Sequence, residues 1–218
     1  MENYKKNLEL LTKNHVYSKE MEHDACGVGL IASTEGKKSR AIVEYGIEAL
    51  KAVWHRGAVD ADGKTGDGAG IHVEIPKDFF IEKIQVTGHD YDNSEICVGM
   101  IFLPRNDYSA QESCKTIVES ELTKNNFSIY GWRQVPVNSK VLGEKALQTM
   151  PEIIQVLFKP NDPNLLDKNL ERKIYEIRKR IENKAFDASL NNFYICSISS
   201  KSIIYKGLYL AESLSCLL

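Results

Sequence analysis

The chain has 218 residues, 43% hydrophobic and 27% charged, the balance of an ordinary globular protein and enough for one sizeable domain or two small ones. A net charge of −2 removes the electrostatic case for nucleic acid, and the apolar runs are far too short to span a membrane. Five cysteines (Cys26, Cys97, Cys114, Cys196, Cys216) show no CxxC pair and no metal-ligand spacing, which fits reduced thiols in a cytoplasm and no metal site.

Residues 1–25 form a polar leader. Leu8-Glu9-Leu10-Leu11 is too short an apolar stretch for a signal peptide. Glu2, Glu9, Glu20, Glu22 and Asp24 argue against a mitochondrial transit peptide. Two readings of the leader stand: a tail without fixed structure, or a propeptide removed before Cys26. Residues 26–33, small and apolar, read as a buried strand. Ser39 then caps a helix reaching about Val53, with Val43, Ile47, Leu50 and Trp54 on one face and Gly57 just past its end. A glycine-rich loop, 60–70, leads into a strand at 71–75 that Pro76 closes.

Further on, 95–103 reads as a strand ended by Pro104 and 110–124 as a helix with Cys114, Ile117, Val118 and Leu122 on one side. Strands follow at 127–135 and 153–158. Leu166, Leu170, Ile174, Ile177 and Ile181 mark a long helix whose other face, dense in Lys, Arg and Glu, is solvated. Residues 193–199 and 202–205 read as two strands joined into a hairpin by a tight Ser200-Lys201 turn. This order predicts an α+β sandwich with helices outside packed sheets.

Three features carry chemistry. Cys26 opens Cys26-Gly27-Val28-Gly29. If the leader is removed, that one residue carries a thiol nucleophile and a free α-amine that can act as its base, the equipment of an N-terminal nucleophile hydrolase. Their ordinary pKa values, near ~8 for the amine and ~8.5 for the thiol, need little tuning for neutral pH. An isolated cysteine among apolar residues is also a common core residue, so position alone does not decide. Trp54-His55-Arg56-Gly57 comes second. Arg56 can orient a carboxylate or brace the backbone near the nucleophile; by themselves Arg56 reads as a favourable helix-end charge and His55 as structural. Third is Thr65-Gly66-Asp67-Gly68-Ala69-Gly70, with glycines at alternate positions. No GK[ST] follows, so it is no P-loop. Lys64 and Ile71 break an EF-hand pattern. A tight loop presenting its backbone to a substrate and a plain flexible loop both fit.

Taken together, Glu22-His23-Asp24-Ala25-Cys26-Gly27-Val28-Gly29, then Gly46-Ile47-Glu48-Ala49-Leu50, then His55-Arg56-Gly57-Ala58-Val59-Asp60-Ala61-Asp62 and Thr65-Gly66-Asp67-Gly68-Ala69-Gly70-Ile71 closely resemble the start of the large chain of glutamate synthases. That start is a class II glutamine amidotransferase domain of the N-terminal nucleophile type. Phe193-Tyr194-Ile195-Cys196-Ser197 and Ile204-Tyr205-Lys206-Gly207 resemble it too. The resemblance implies a four-layer αββα sandwich of the N-terminal nucleophile hydrolase type, incomplete at the C-terminus, with residues 1–25 a leader or propeptide and 26–218 the amidotransferase domain. It implies glutamine as substrate and Cys26 as catalytic residue. Arg56, His55 and Gly57 would position substrate and nucleophile, with Asp67, Gly68 and Gly70 in a site loop. No cofactor is expected in this chain; FMN and an iron–sulfur cluster belong to the parent enzyme, whose downstream synthase region is the implied partner. The resemblance implies no membrane and no nucleic-acid partner, and a cytoplasmic location.

The family's oxyanion donor, an Asn-Gly pair, has no counterpart here, because the chain contains no Asn-Gly dipeptide. Losing one such donor costs about 10²–10³ in rate. The chain is therefore expected to be a truncated fragment. A catalytically inactive remnant, or a docking piece, is the competing expectation. An N-terminal-cysteine hydrolase of amides other than glutamine is a third.

Overall fold

A computed structural model describes residues 2–14, 27–53 and 57–214. The sequence readings that fall on Cys26, Trp54, His55 and Arg56 lie outside those residues. Helix α1 (Glu2–Asn14) occupies the leader. Helix α2 (Arg40–Ala52) starts where expected, with Ser39 accepting the Ala41 N–H at 3.2 Å and Ile47 buried. Strand β1 (Ala69–Glu74) follows the glycine loop.

A helix that sequence reading left out, α3 (Lys77–Val86), begins directly after Pro76 and buries Phe80 and Ile84. Pro76 therefore ends one element and starts the next, a position where its missing N–H costs nothing. Strand β2 (Cys97–Leu103), helix α4 (Tyr108–Lys124) and strand β3 (Phe127–Gln134) agree with expectation to within two residues. Asp107 caps α4 by accepting the Ala110 N–H at 2.9 Å. A second unforeseen helix, α5 (Glu144–Thr149), precedes strand β4 (Glu152–Pro160). Six residues are too few to show a helical period. Then come α6 (Asp167–Asp187), β5 (Tyr194–Ser199) and β6 (Ser202–Gly207).

The strands form two antiparallel sheets, ordered β3-β4-β2-β5 and β1-β6. Side chains alternate across β2 and β4 with the period of two. Cys97, Ile101, Leu103, Ile154, Val156 and Phe158 pack under α4 and α6 with Val118, Leu122, Leu170, Ile174 and Ile177. Val98, Met100 and Leu157 face the other way and pack with Ile203 of β6 and with Phe80 and Ile84. A third cluster joins Ile47 of α2 and Ala146 of α5 to Tyr209 and Leu214, with Ala69 and Ile71 of β1 against it. The layers are helix, sheet, sheet, helix, the αββα order expected from the resemblance.

Two sequence expectations are corrected. Residues 27–33 pair with no strand; Val28 and Leu30 are 95% and 90% exposed. An extended apolar run becomes a strand only against a partner edge, and among the described residues β1 pairs with β6 alone. The Ser200-Lys201 turn joins two strands of different sheets rather than a two-stranded ladder. Ser199 Oγ accepts the N–H groups of Lys201 (2.9 Å) and Ser202 (3.2 Å), while the Glu171 carboxylate of α6 accepts from Ser199 Oγ (2.9 Å), Ser200 Oγ (2.7 Å) and Ser200 N (2.7 Å). The corner's polar groups are thus satisfied by side chains, and the chain is free to leave the first sheet.

Ile177→Ala, at a fully buried site under the four-stranded sheet, is expected to cost about 2–5 kcal/mol in urea unfolding. Tyr175→Ala, on the exposed face of the same helix, is expected to stay within about 0.5 kcal/mol.

Candidate functional site

Residues 57–70 form a looped arm with internal stitching. Val59 and Gly66 make an antiparallel bridge. Asp60 N–H donates to Thr65 O (2.9 Å), Gly63 N–H to Asp60 O (2.9 Å), and Asp67 N–H to Ala58 O (3.2 Å). The last bond sets Gly57-Ala58 across from Asp67-Gly68, so three of the four described site residues come together. Gly70 does not join them. It sits in β1 opposite Lys206.

The alternate glycines have a reason the sequence did not show. A Cβ on Gly66 would lie 2.6 Å from Tyr209 O, and one on Gly70 would lie 2.8 Å from both Tyr205 O and Lys206 Cβ. Those two glycines let the arm press on the chain's own segment 205–210. Gly68 differs: its φ of +129° is a backbone state that side chains disfavour, and it is exposed beside Asp67.

The turn of the arm is built on Asp62. Its Oδ1 accepts the N–H groups of Lys64 (2.9 Å) and Thr65 (2.7 Å), and its Oδ2 accepts the Thr65 hydroxyl (2.6 Å). The Thr65 hydroxyl, then the two backbone N–H groups, hold the Asp62 carboxyl well below the usual carboxylate range. Asp60 accepts from Lys145 Nζ (2.6 Å) and Ala61 N (2.7 Å). The Lys145 bond is the larger cause of its lowered pKa, and the same bond raises that of Lys145. Thr65 Oγ1 also accepts the Ala146 N–H at 3.4 Å. A Cβ on Gly143 would overlap Asp62 and Thr65, so glycine at the start of α5 is what admits this approach. Sequence reading missed Gly143 and Lys145. They lie some eighty residues away, and no local period marks them.

The described thiols are unsuited to nucleophilic work. Cys97, Cys114 and Cys196 are free and buried. Burial pushes the Cys97 and Cys196 thiols up, and that of Cys114 to about 11. A cavity of about 50 Å³ between the sheets, lined by Met100, Ile153, Ile204 and Tyr209 among others, is too small for an amino acid. A larger cleft of about 460 Å³ lies by Glu74, at the end of β1 away from the arm. Among the described residues, no three His, Cys, Asp or Glu side chains converge as metal ligands, and no helix is long and apolar enough to cross a membrane.

Residues 26–217 match the class-II glutamine amidotransferases. The chain is 53% identical over 97% of its length to the glutamate synthase [NADPH] large chain of Azospirillum brasilense, covering 14% of that protein. It is 39% identical over 88% of its length to the chloroplastic ferredoxin-dependent glutamate synthase of Spinacia oleracea, and 38% over 86% to ferredoxin-dependent glutamate synthase 2 of Synechocystis, covering 12% of each. The chain belongs to the class-II glutamine amidotransferase family. It spans about one seventh or less of the length of these glutamate synthase relatives.

Cys97, Cys114 and Cys196 are expected to resist iodoacetamide in the native protein and to react once it is denatured, as read by peptide mass mapping. Fast native modification of any of the three would contradict their burial.

Proposed function

We propose that this chain is the glutaminase domain of a glutamate synthase, hydrolysing glutamine to glutamate and ammonia. The observation that carries the reading is that the family match opens on residue 26, the cysteine. With residues 1–25 removed, the Cys26 α-amine takes the thiol proton and the thiolate attacks the side-chain amide carbon of glutamine. The tetrahedral oxyanion collapses; the C–N bond breaks, and ammonia leaves with a proton returned by the amine. Water then adds to the thioester carbon, the C–S bond breaks, and glutamate departs with the thiolate restored. By resemblance, Arg56 and His55 orient substrate and nucleophile, Gly57 continues that segment into the arm, and Asp67 and Gly68 belong to the loop beside glutamine, with Gly70 in the strand that follows it.

On this reading the ammonia is destined for 2-oxoglutarate in a downstream synthase region, which holds the FMN and the iron–sulfur cluster of the parent enzyme. The reduced, buried thiols fit a cytoplasmic setting. The competing reading is a catalytically silent docking piece.

Intact mass after exposure to a diazoketone mimic of glutamine separates the two. The glutaminase reading expects loss of residues 1–25 and one adduct on Cys26, with Cys26→Ser lowering ammonia release by about 10⁴–10⁶. An unprocessed, unlabelled chain would overturn it.

A further inference from the structure

We propose that Thr65 is a positioning residue for glutamine, acting through a clamp with Asp62 and α5 that sets the pose of residues 57–68. This deepens the glutaminase reading and rests on it. The arm is poorly held by burial: residues 57–59 and 61–64 are exposed, and only Thr65 and Gly66 are buried. Fixing a free loop costs about 1–2 kcal/mol per residue in backbone entropy. An arm ordered only when substrate arrives would draw that cost from glutamine affinity. The internal hydrogen bonds shape the turn, but they do not orient it on the rest of the protein.

Two contacts do orient it, the seating of Gly66 on Tyr209 and the bonds to α5. The Lys145–Asp60 pair is a weak candidate, since the Lys145 side chain is 71% exposed and such pairs contribute little. Thr65 carries more. It is 5% exposed, its hydroxyl donates to Asp62 Oδ2, and the same oxygen accepts the Ala146 N–H. Like Asp60, which accepts from Ala61 N and Lys145 Nζ, it bonds both the turn and α5, but it does so from a buried position. Helix α5 is anchored through Ala146 in the cluster with Ile47 and Tyr209. The clamp therefore ties the arm to the packed layer of α2 and β1.

The test compares the full chain with Thr65→Val, which keeps the shape and loses the hydroxyl, and Thr65→Ser, which keeps the hydroxyl. Each is labelled at Cys26 with the diazoketone mimic at low concentration and, separately, with iodoacetamide. Thr65→Val is expected to slow mimic labelling about tenfold, the scale of one lost hydrogen bond to a charged group, and to leave iodoacetamide labelling unchanged. Thr65→Ser is expected to restore the mimic rate. If Thr65→Val does not fold, Asp62→Asn is expected to give the same split. An unchanged mimic rate, or equal falls with both reagents, overturns the proposal. A wild-type chain that takes iodoacetamide but not the mimic at Cys26 overturns the glutaminase reading, and the proposal with it.

Discussion

Strand β2 has no solvent side. Its alternate residues point into two different cores, Cys97, Ile101 and Leu103 toward α4 and α6, Val98 and Met100 toward α3 and the second sheet. A strand buried on both faces must be covered on both, and the layer order follows from that demand. Strand β4 obeys the same rule beside it, with Val156 and Phe158 on one side and Leu157 on the other. The long helix α6 closes one face through Leu170, Ile174, Ile177 and Ile181.

The opposite face depends on a change of sheet. At Ser199–Ser202 the chain leaves the four-stranded sheet and becomes the partner of β1. The Glu171 carboxylate of α6 takes up the hydroxyls and the N–H that the turn would otherwise leave unpaired. That crossing brings segment 205–210 under the glycine arm, where Gly66 and Gly70 receive it. The candidate site is thus positioned by a corner at the far end of β6. Loss of the corner would be felt in the arm.

The thiol chemistry divides by burial. Three cysteines lie on apolar faces, with pKa values raised away from thiolate formation, and serve the cores. The arm contrasts with them. It is exposed and held by charge-assisted hydrogen bonds around Asp62, which give geometry more than stability. Rigid layers carrying a lightly buried, hydrogen-bonded loop are the usual division between scaffold and site.

Periodicity by itself determined the long elements. The faces of α2, α4 and α6 and the runs of β2 and β4 were legible because each buries one regular stripe or both sides of a strand. The Cys-Gly-Val-Gly, His-Arg-Gly and Gly-Asp-Gly-Ala-Gly segments carried the family, since they are local. Tertiary structure alone decided the rest. Residues 27–33 look like a strand but find no edge to pair with, and the Ser200-Lys201 turn looks like a hairpin yet changes sheets. Helix α5 is too short to announce itself, and its contacts with Asp60, Asp62 and Thr65 join residues some eighty positions apart. Even the glycines split this way. Their freedom was readable, but what required it at Gly66 and Gly70 was the chain's own backbone arriving from Tyr205 and Tyr209, a contact that exists only once the sheets have packed.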